Sequence, residues 1–205
     1  MKKLLIAGAL VLAATASLWA AVGCDLNDPD RDVKRIFPES TGYKTTYLSI
    51  KDGGGLQQLA RVINRLGDKF SGPYENIDVP YTLYEIKKGA ATLGYIHGVN
   101  QKGTYGGIQV FLALDPQGVI RGFYIQKLTS RAATQLRSKS FARQFIGLSL
   151  KDFDGYNVPF GRAEGPVAAI RNPAPEAVWD FRAVMRAVKK NLILMDEFVY
   201  HGAKP

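Results

Sequence analysis

The chain has one cysteine, Cys24, and two histidines, His97 and His201, in 205 residues. A single thiol excludes an internal disulfide and a thiolate metal cluster. The histidines are far apart and lack carboxylates at ligand spacing, which argues against a metal centre. No Cys-x-x-Cys-His is present, so c-type haem is not attached. No nucleophile-elbow serine with a matching His and Asp is legible, and a hydrolase is unsupported. From Lys151 to Pro205 there is neither serine nor threonine, so that stretch offers no aliphatic hydroxyl to a covalent cofactor. His97 falls in a strand pattern and reads as a structural histidine.

What is present describes one ordinary domain. Hydrophobic residues make up 46% and charged residues 22%, enough for a buried core. The formal charge is +9, with Lys and Arg scattered and no recognition module, so nucleic acid is not the expected partner. An anionic lipid surface or an acidic protein suits that charge, as does a simply solvated basic surface.

The first 23 residues are an export signal. Lys2-Lys3 precede an uncharged run from Leu4 to Gly23, and the run closes on Ala21-Val22-Gly23-Cys24. Small residues before a lone cysteine resemble a bacterial lipobox, with Cys24 as the lipidated residue and Ala21 where Leu is commonest. The reading is a bacterial cell-envelope lipoprotein, membrane-anchored through Cys24 and facing the periplasm or exterior. Twenty apolar residues are also long enough to remain as an uncleaved anchor. Ordinary cleavage to a soluble periplasmic protein is the third fate. Residues 24–35 are polar and Asp-rich, with Pro29, and read as a solvated tether. The domain follows over 36–200, with a tail at 201–205.

Periodicity predicts an α+β fold, a single domain with a mostly antiparallel sheet meander flanked by helices and ending in an amphipathic helix. Residues 44–50 read as a strand, and Lys51-Asp52-Gly53-Gly54-Gly55 as a turn. Leu56, Leu59, Val62, Ile63 and Leu66 recur at helical spacing up to Gly67. Strands follow at 81–86, 92–99, 108–114 and 119–126, with Asp115-Pro116-Gln117-Gly118 a type I turn and 101–107 a glycine-rich loop. Helical patterns lie near 130–138 and 139–147, and 151–174 reads as a long loop. The last helix opens at Pro175-Glu176 and carries Val178, Phe181, Met185, Val188 and Leu192 on one face.

At the meander a resemblance emerges. Gly94-Tyr95, Gly103-Thr104-Tyr105-Gly106-Gly107-Ile108, Ala113-Leu114-Asp115 and Gly118-Val119-Ile120 resemble the FMN-binding domain family. That family includes the flavin-carrying subunits of the Rnf and sodium-pumping NADH:quinone reductase complexes. Phe141-Ala142-Arg143-Gln144-Phe145-Ile146-Gly147 and Ile36-Phe37-Pro38-Glu39 fit the same pattern, over roughly 36–190. The resemblance implies FMN, electron transport and redox protein partners. Two departures stand out. Ser130-Arg131-Ala132-Ala133-Thr134-Gln135-Leu136 replaces the family's acidic, glycine-containing segment. Ala169-Ile170-Arg171-Asn172-Pro173-Ala174-Pro175 replaces the motif whose Thr carries the flavin. Any FMN is therefore non-covalent at that position.

The expected cofactor contacts are Tyr105, Gly106 and Gly107 in the loop, Arg131, Arg137 and Arg171 (with Lys139) for phosphate, and Tyr105 or Phe145 beside the ring. An electron-transfer flavoprotein is the first reading, with no substrate turnover of its own. A cofactor-less accessory or assembly subunit of a membrane redox complex is the alternative, and a lipid-anchored binding module unrelated to redox is a third.

Overall fold

The computed structural model describes residues 24–201; residues 1–23, read above as an export signal, and the last four residues lie outside them. Its centre is a five-stranded antiparallel sheet in sequence order: β1 (Gly42–Leu48), β2 (Tyr81–Lys88), β3 (Ala91–Lys102), β4 (Gly107–Leu114) and β5 (Ile120–Lys127). Asp115–Gly118 closes the β4–β5 hairpin as the turn chemistry requires, with Gly118 N–H donating to the Asp115 carbonyl.

Strand periodicity splits the core in two. On one face His97 and Val99 of β3 and Ile108, Val110, Leu112 and Leu114 of β4 meet α7 (Val178–Met195) and α3 (Gly55–Leu66). On the other face Tyr84, Ile86, Ile96, Phe111 and Ala113 form a second cluster. The nearly continuous apolar run 108–114 follows from this arrangement, because both faces of β4 are covered.

The cover of the second face corrects the tether expected at 24–35. Pro29–Ile36 is a helix, α1, whose Asp28 side chain accepts from Arg31 N–H and whose Pro29 stands at its start. Leu26, Val33 and Phe37 are buried against the sheet. Leu26 N–H donates to Tyr84 Oη at 3.1 Å, Asn27 N–H to Gln126 Oε1 at 2.9 Å, and Thr82 Oγ1 to an Asp25 carboxylate oxygen at 2.6 Å. Polar composition was misleading because its few apolar residues all point one way. Cys24 is buried with them, 2% exposed, and burial pushes its thiol pKa up. Gly98 makes room for it: a Cβ there would fall 2.8 Å from Cys24 Sγ and 2.5 Å from the Phe111 ring.

Shorter elements complete the fold. Ile50–Gly53 is one helical turn, α2, where a plain turn was expected. Ala133–Leu136 and Lys139–Arg143 form α4 and α5, shorter than the periodicity predicts. The long loop contains α6 (Leu150–Phe153) and a small hairpin of β6 (Tyr156–Asn157) and β7 (Arg162–Ala163). In α7 the apolar stripe holds from Met185 onward, but its C-terminal half is buried all round, Lys189, Lys190 and Asn191 included.

His97 is a core residue, as its strand position suggested. Its Nδ1 lies 2.9 Å from Asn191 Oδ1, and Asn191 Nδ2 donates back to the His97 carbonyl. Burial lowers its pKa to about 4. The unfolded chain therefore takes up a proton near pH 6.5 that the folded chain refuses until about pH 4. Stability from this group is complete above the unfolded value and declines as pH falls toward the folded one. Urea unfolding is expected to show a loss of about 2 kcal/mol between pH 7 and pH 5. In His97→Gln, which keeps an amide partner for Asn191, that slope should vanish.

Candidate functional site

The glycine-rich loop between β3 and β4 is a closed turn, with Gly103 N–H donating to the Gly106 carbonyl at 2.8 Å. Gly107 is closely packed, since a Cβ there would stand 2.8 Å from Tyr74 Oη and push that side chain aside. These glycines thus have structural reasons of their own.

The loop is fixed to the head of α7 by Asp180, which sequence reasoning missed. Thr104 N–H donates to Asp180 Oδ1 at 2.9 Å. Burial alone would raise the Asp180 pKa, but hydrogen bonds from Ser130 and from Thr104 reverse this and hold the carboxyl low. The segment after β5 joins the same point, since a Cβ on Gly106 would lie 3.8 Å from the Thr129 side chain. Thr104 and Ser130, the chain neighbours of Tyr105 and Arg131, therefore meet at one buried carboxylate. An acid one turn into a helix that follows a Pro-Glu start was the available signal.

Two exposed rings flank this tie in the chain, Tyr105 at 57% and Trp179 at 67% exposure, the latter with the Arg182 guanidinium 5.0 Å from its centroid. The other expected residues are placed differently. Arg137 turns back onto β5, donating to the Gln126 carbonyl at 3.0 Å. Arg171 is exposed beyond α5, its backbone bracketed by Gln144, whose Oε1 accepts from Arg171 N–H at 2.7 Å. Among the described residues, Arg131, Arg137, Lys139 and Arg171 have no carboxylate partner. Phe145 is a correction. It is fully buried, stacked on Phe123 at 4.3 Å and edge-on to Phe141 at 5.1 Å, and offers no face to a cofactor. Phe141 lies in α5 and Phe145 in the turn that follows it, and both are core packing.

The residues present fit a non-covalent flavin in part. Cations without carboxylate partners suit a phosphate, and exposed rings suit an aromatic face, while residues 169–175 carry no hydroxyl for attachment. Two open clefts lie elsewhere, of about 610 Å³ and about 520 Å³, and neither is lined by any of these residues. Among the described residues no cluster of His, Cys, Asp or Glu could hold a metal ion, and no helix is long and apolar enough to cross a membrane.

Comparison with known proteins gives a class and then a particular structure. No family model matches the chain, and no curated protein matches it. The class is therefore defined by fold: a single α+β domain of antiparallel meander and long C-terminal helix. Among solved structures the chain is similar to Shewanella oneidensis NqrC, with a TM-score of 0.58 and 14% identity, over 87% of this chain and 89% of that one. At that identity the likeness shows the fold.

Proposed function

We propose that the chain is a membrane-tethered electron-transfer domain that holds FMN without a covalent bond. The observation that carries this is the Asp180 tie, which joins Thr104 of the glycine-rich loop and Ser130 of the segment after β5 to the head of α7. The NqrC-like fold and the family resemblance of the meander support it. Arg131 would meet the phosphate, and Tyr105 and Trp179 would flank the ring. Bound flavin supplies one- and two-electron redox chemistry; the chain's own residues hold and orient it.

The tether belongs to the same reading. The export signal supports a bacterial envelope location, with redox partners in or beside the same membrane. Two attachments remain, a lipid on Cys24 or a retained segment 4–23, and burial of the Cys24 thiol favours the second. A cofactor-less accessory subunit is the alternative, favoured by the close packing of Gly103 and Gly107 and by the burial of Phe145.

The test uses the full chain purified in mild detergent. Flavin absorption bands are expected, and after denaturation they should pass a filter that retains protein. Arg131→Ala should weaken FMN binding about tenfold, the scale of one charge-assisted hydrogen bond. A colourless chain that stays colourless with added FMN overturns the flavin reading and leaves the accessory one.

A further inference from the structure

The geometry points to a second site: we propose that the cleft between the end of α3, the β6–β7 hairpin and α7 binds a small carboxylate monoanion carried on an apolar or aromatic body. The cleft encloses about 520 Å³, within the range of small-molecule sites. None of the residues assigned to flavin lines it, so the inference stands or falls apart from the flavin reading.

Two of its lining side chains are polar, buried and under-used. Lys189 is only 6% exposed, and its ammonium donates to the Tyr156 carbonyl at 2.8 Å. An ammonium has three donors, and among the described residues no carboxylate lies within ion-pair distance of Lys189, Asp154 acting on its charge from further off. Tyr156 is 2% exposed, and its hydroxyl has no hydrogen-bond partner. A buried hydroxyl left unmet is costly and Lys189 has donors to spare, so a small movement of the lining that opens either group to the cleft would favour an incoming acceptor. Arg162, at the same cleft, faces the Phe160 ring at 5.7 Å and has no acid partner among the described residues. Arg65 also lines it but is committed to Asp196 and Glu197.

The rest of the lining selects the ligand. Phe160 is 68% exposed at the cleft, an apolar face that a small inorganic ion would leave unused. Asp154 and Glu164 stand exposed on the rim, and their charges disfavour a dianion over a monoanion. The Phe160 loop is built in advance: Asn157 Oδ1 accepts from Phe160 N–H at 3.1 Å, and Arg182 donates to the Pro159 carbonyl at 2.7 Å. A preformed loop lowers the ordering cost of binding.

Benzoate, acetate and inorganic phosphate are the probes, titrated into the isotope-labelled full chain in detergent micelles and followed by amide chemical shifts. Benzoate is expected to shift the amides of Tyr156 to Gly161 saturably and to bind more tightly than acetate. Lys189→Met, which keeps the buried stem, should weaken benzoate at least about tenfold, and Tyr156→Phe about threefold, with flavin content unchanged. Absence of saturable shifts overturns the site. So does unaltered affinity in a folded Lys189→Met or Tyr156→Phe chain. Phosphate binding more tightly than benzoate overturns the assignment to a monoanion.

Discussion

Glu75→Ala is expected to destabilise the domain by about 3–5 kcal/mol, a large share of the net stability of a chain this size. Glu75 is the only carboxylate, among the described residues, within ion-pair distance of Lys190, whose side chain is fully buried. Lys190 Nζ donates to Glu75 Oε1 at 2.7 Å and to the Asn100 carbonyl at 2.6 Å. Arg186 grips both oxygens of the same carboxylate and reaches Asp68 at 2.8 Å and Gln101 Oε1 at 2.7 Å. Burial pushes the Glu75 pKa up, and the Arg186 and Lys190 contacts more than reverse it, holding the carboxyl below its usual range. Burial likewise lowers Lys190 to about 8, with Glu75 opposing. Removing the acid strands a cation inside α7 and releases the irregular segment 68–79 from the helix. Urea unfolding measures the loss. Glu75→Leu combined with Lys190→Met should recover much of it, since an apolar pair replaces an ion pair at little net cost. A loss under about 1 kcal/mol in the single variant would mean that water reaches Lys190 and replaces its partner.

That cluster also marks the limit of sequence reading here. The meander was legible because each strand carries its own period and each turn its own chemistry, as at Asp115–Gly118. Helix α3 was legible from its spacing and from Gly67, which caps it in the left-handed conformation. Lys190 read as an ordinary charge near the end of a helix, because the acid that allows its burial lies 115 positions earlier. The site was half legible. The glycine-rich loop follows from pattern, whereas Asp180 acts through Thr104 and Ser130, each remote in sequence. Helix α1 was hidden by its acids, yet its signal was present. Asp28-Pro29 is a helix start, and the unbroken apolar run of β4 already demanded a cover on both faces of the sheet.

That cover supplies the second large effect. A chain beginning at Pro38 is expected to lose cooperative unfolding and to bind a hydrophobic dye, whereas loss of a solvated tether would change neither. Leu26, Val33 and Phe37 leave water almost completely when they pack, at roughly 1.5–3 kcal/mol for each such side chain. Without them Ile86, Ile96, Phe111 and Ala113 form an exposed apolar face on a sheet whose neighbours are already paired. Cys24 reports the same packing from its first residue. In the folded full chain its thiol should react with a disulfide reagent at least about a hundredfold more slowly than in denaturant, because reaction needs both access and a thiolate that burial opposes. The two attachments then separate cleanly. A diacylglycerol thioether cannot occupy the space between Gly98 and Phe111 that the bare sulfur fills. An acylated chain must draw Cys24 out and lose the bonds at Asp25, Leu26 and Asn27, which hydrogen exchange at the Leu26 and Asn27 amides would register as lost protection. Intact mass of the chain taken from membranes decides between them. A free thiol with residues 1–23 still attached matches the packed strap, and a lipid on Cys24 would show that the strap begins its contacts only at α1.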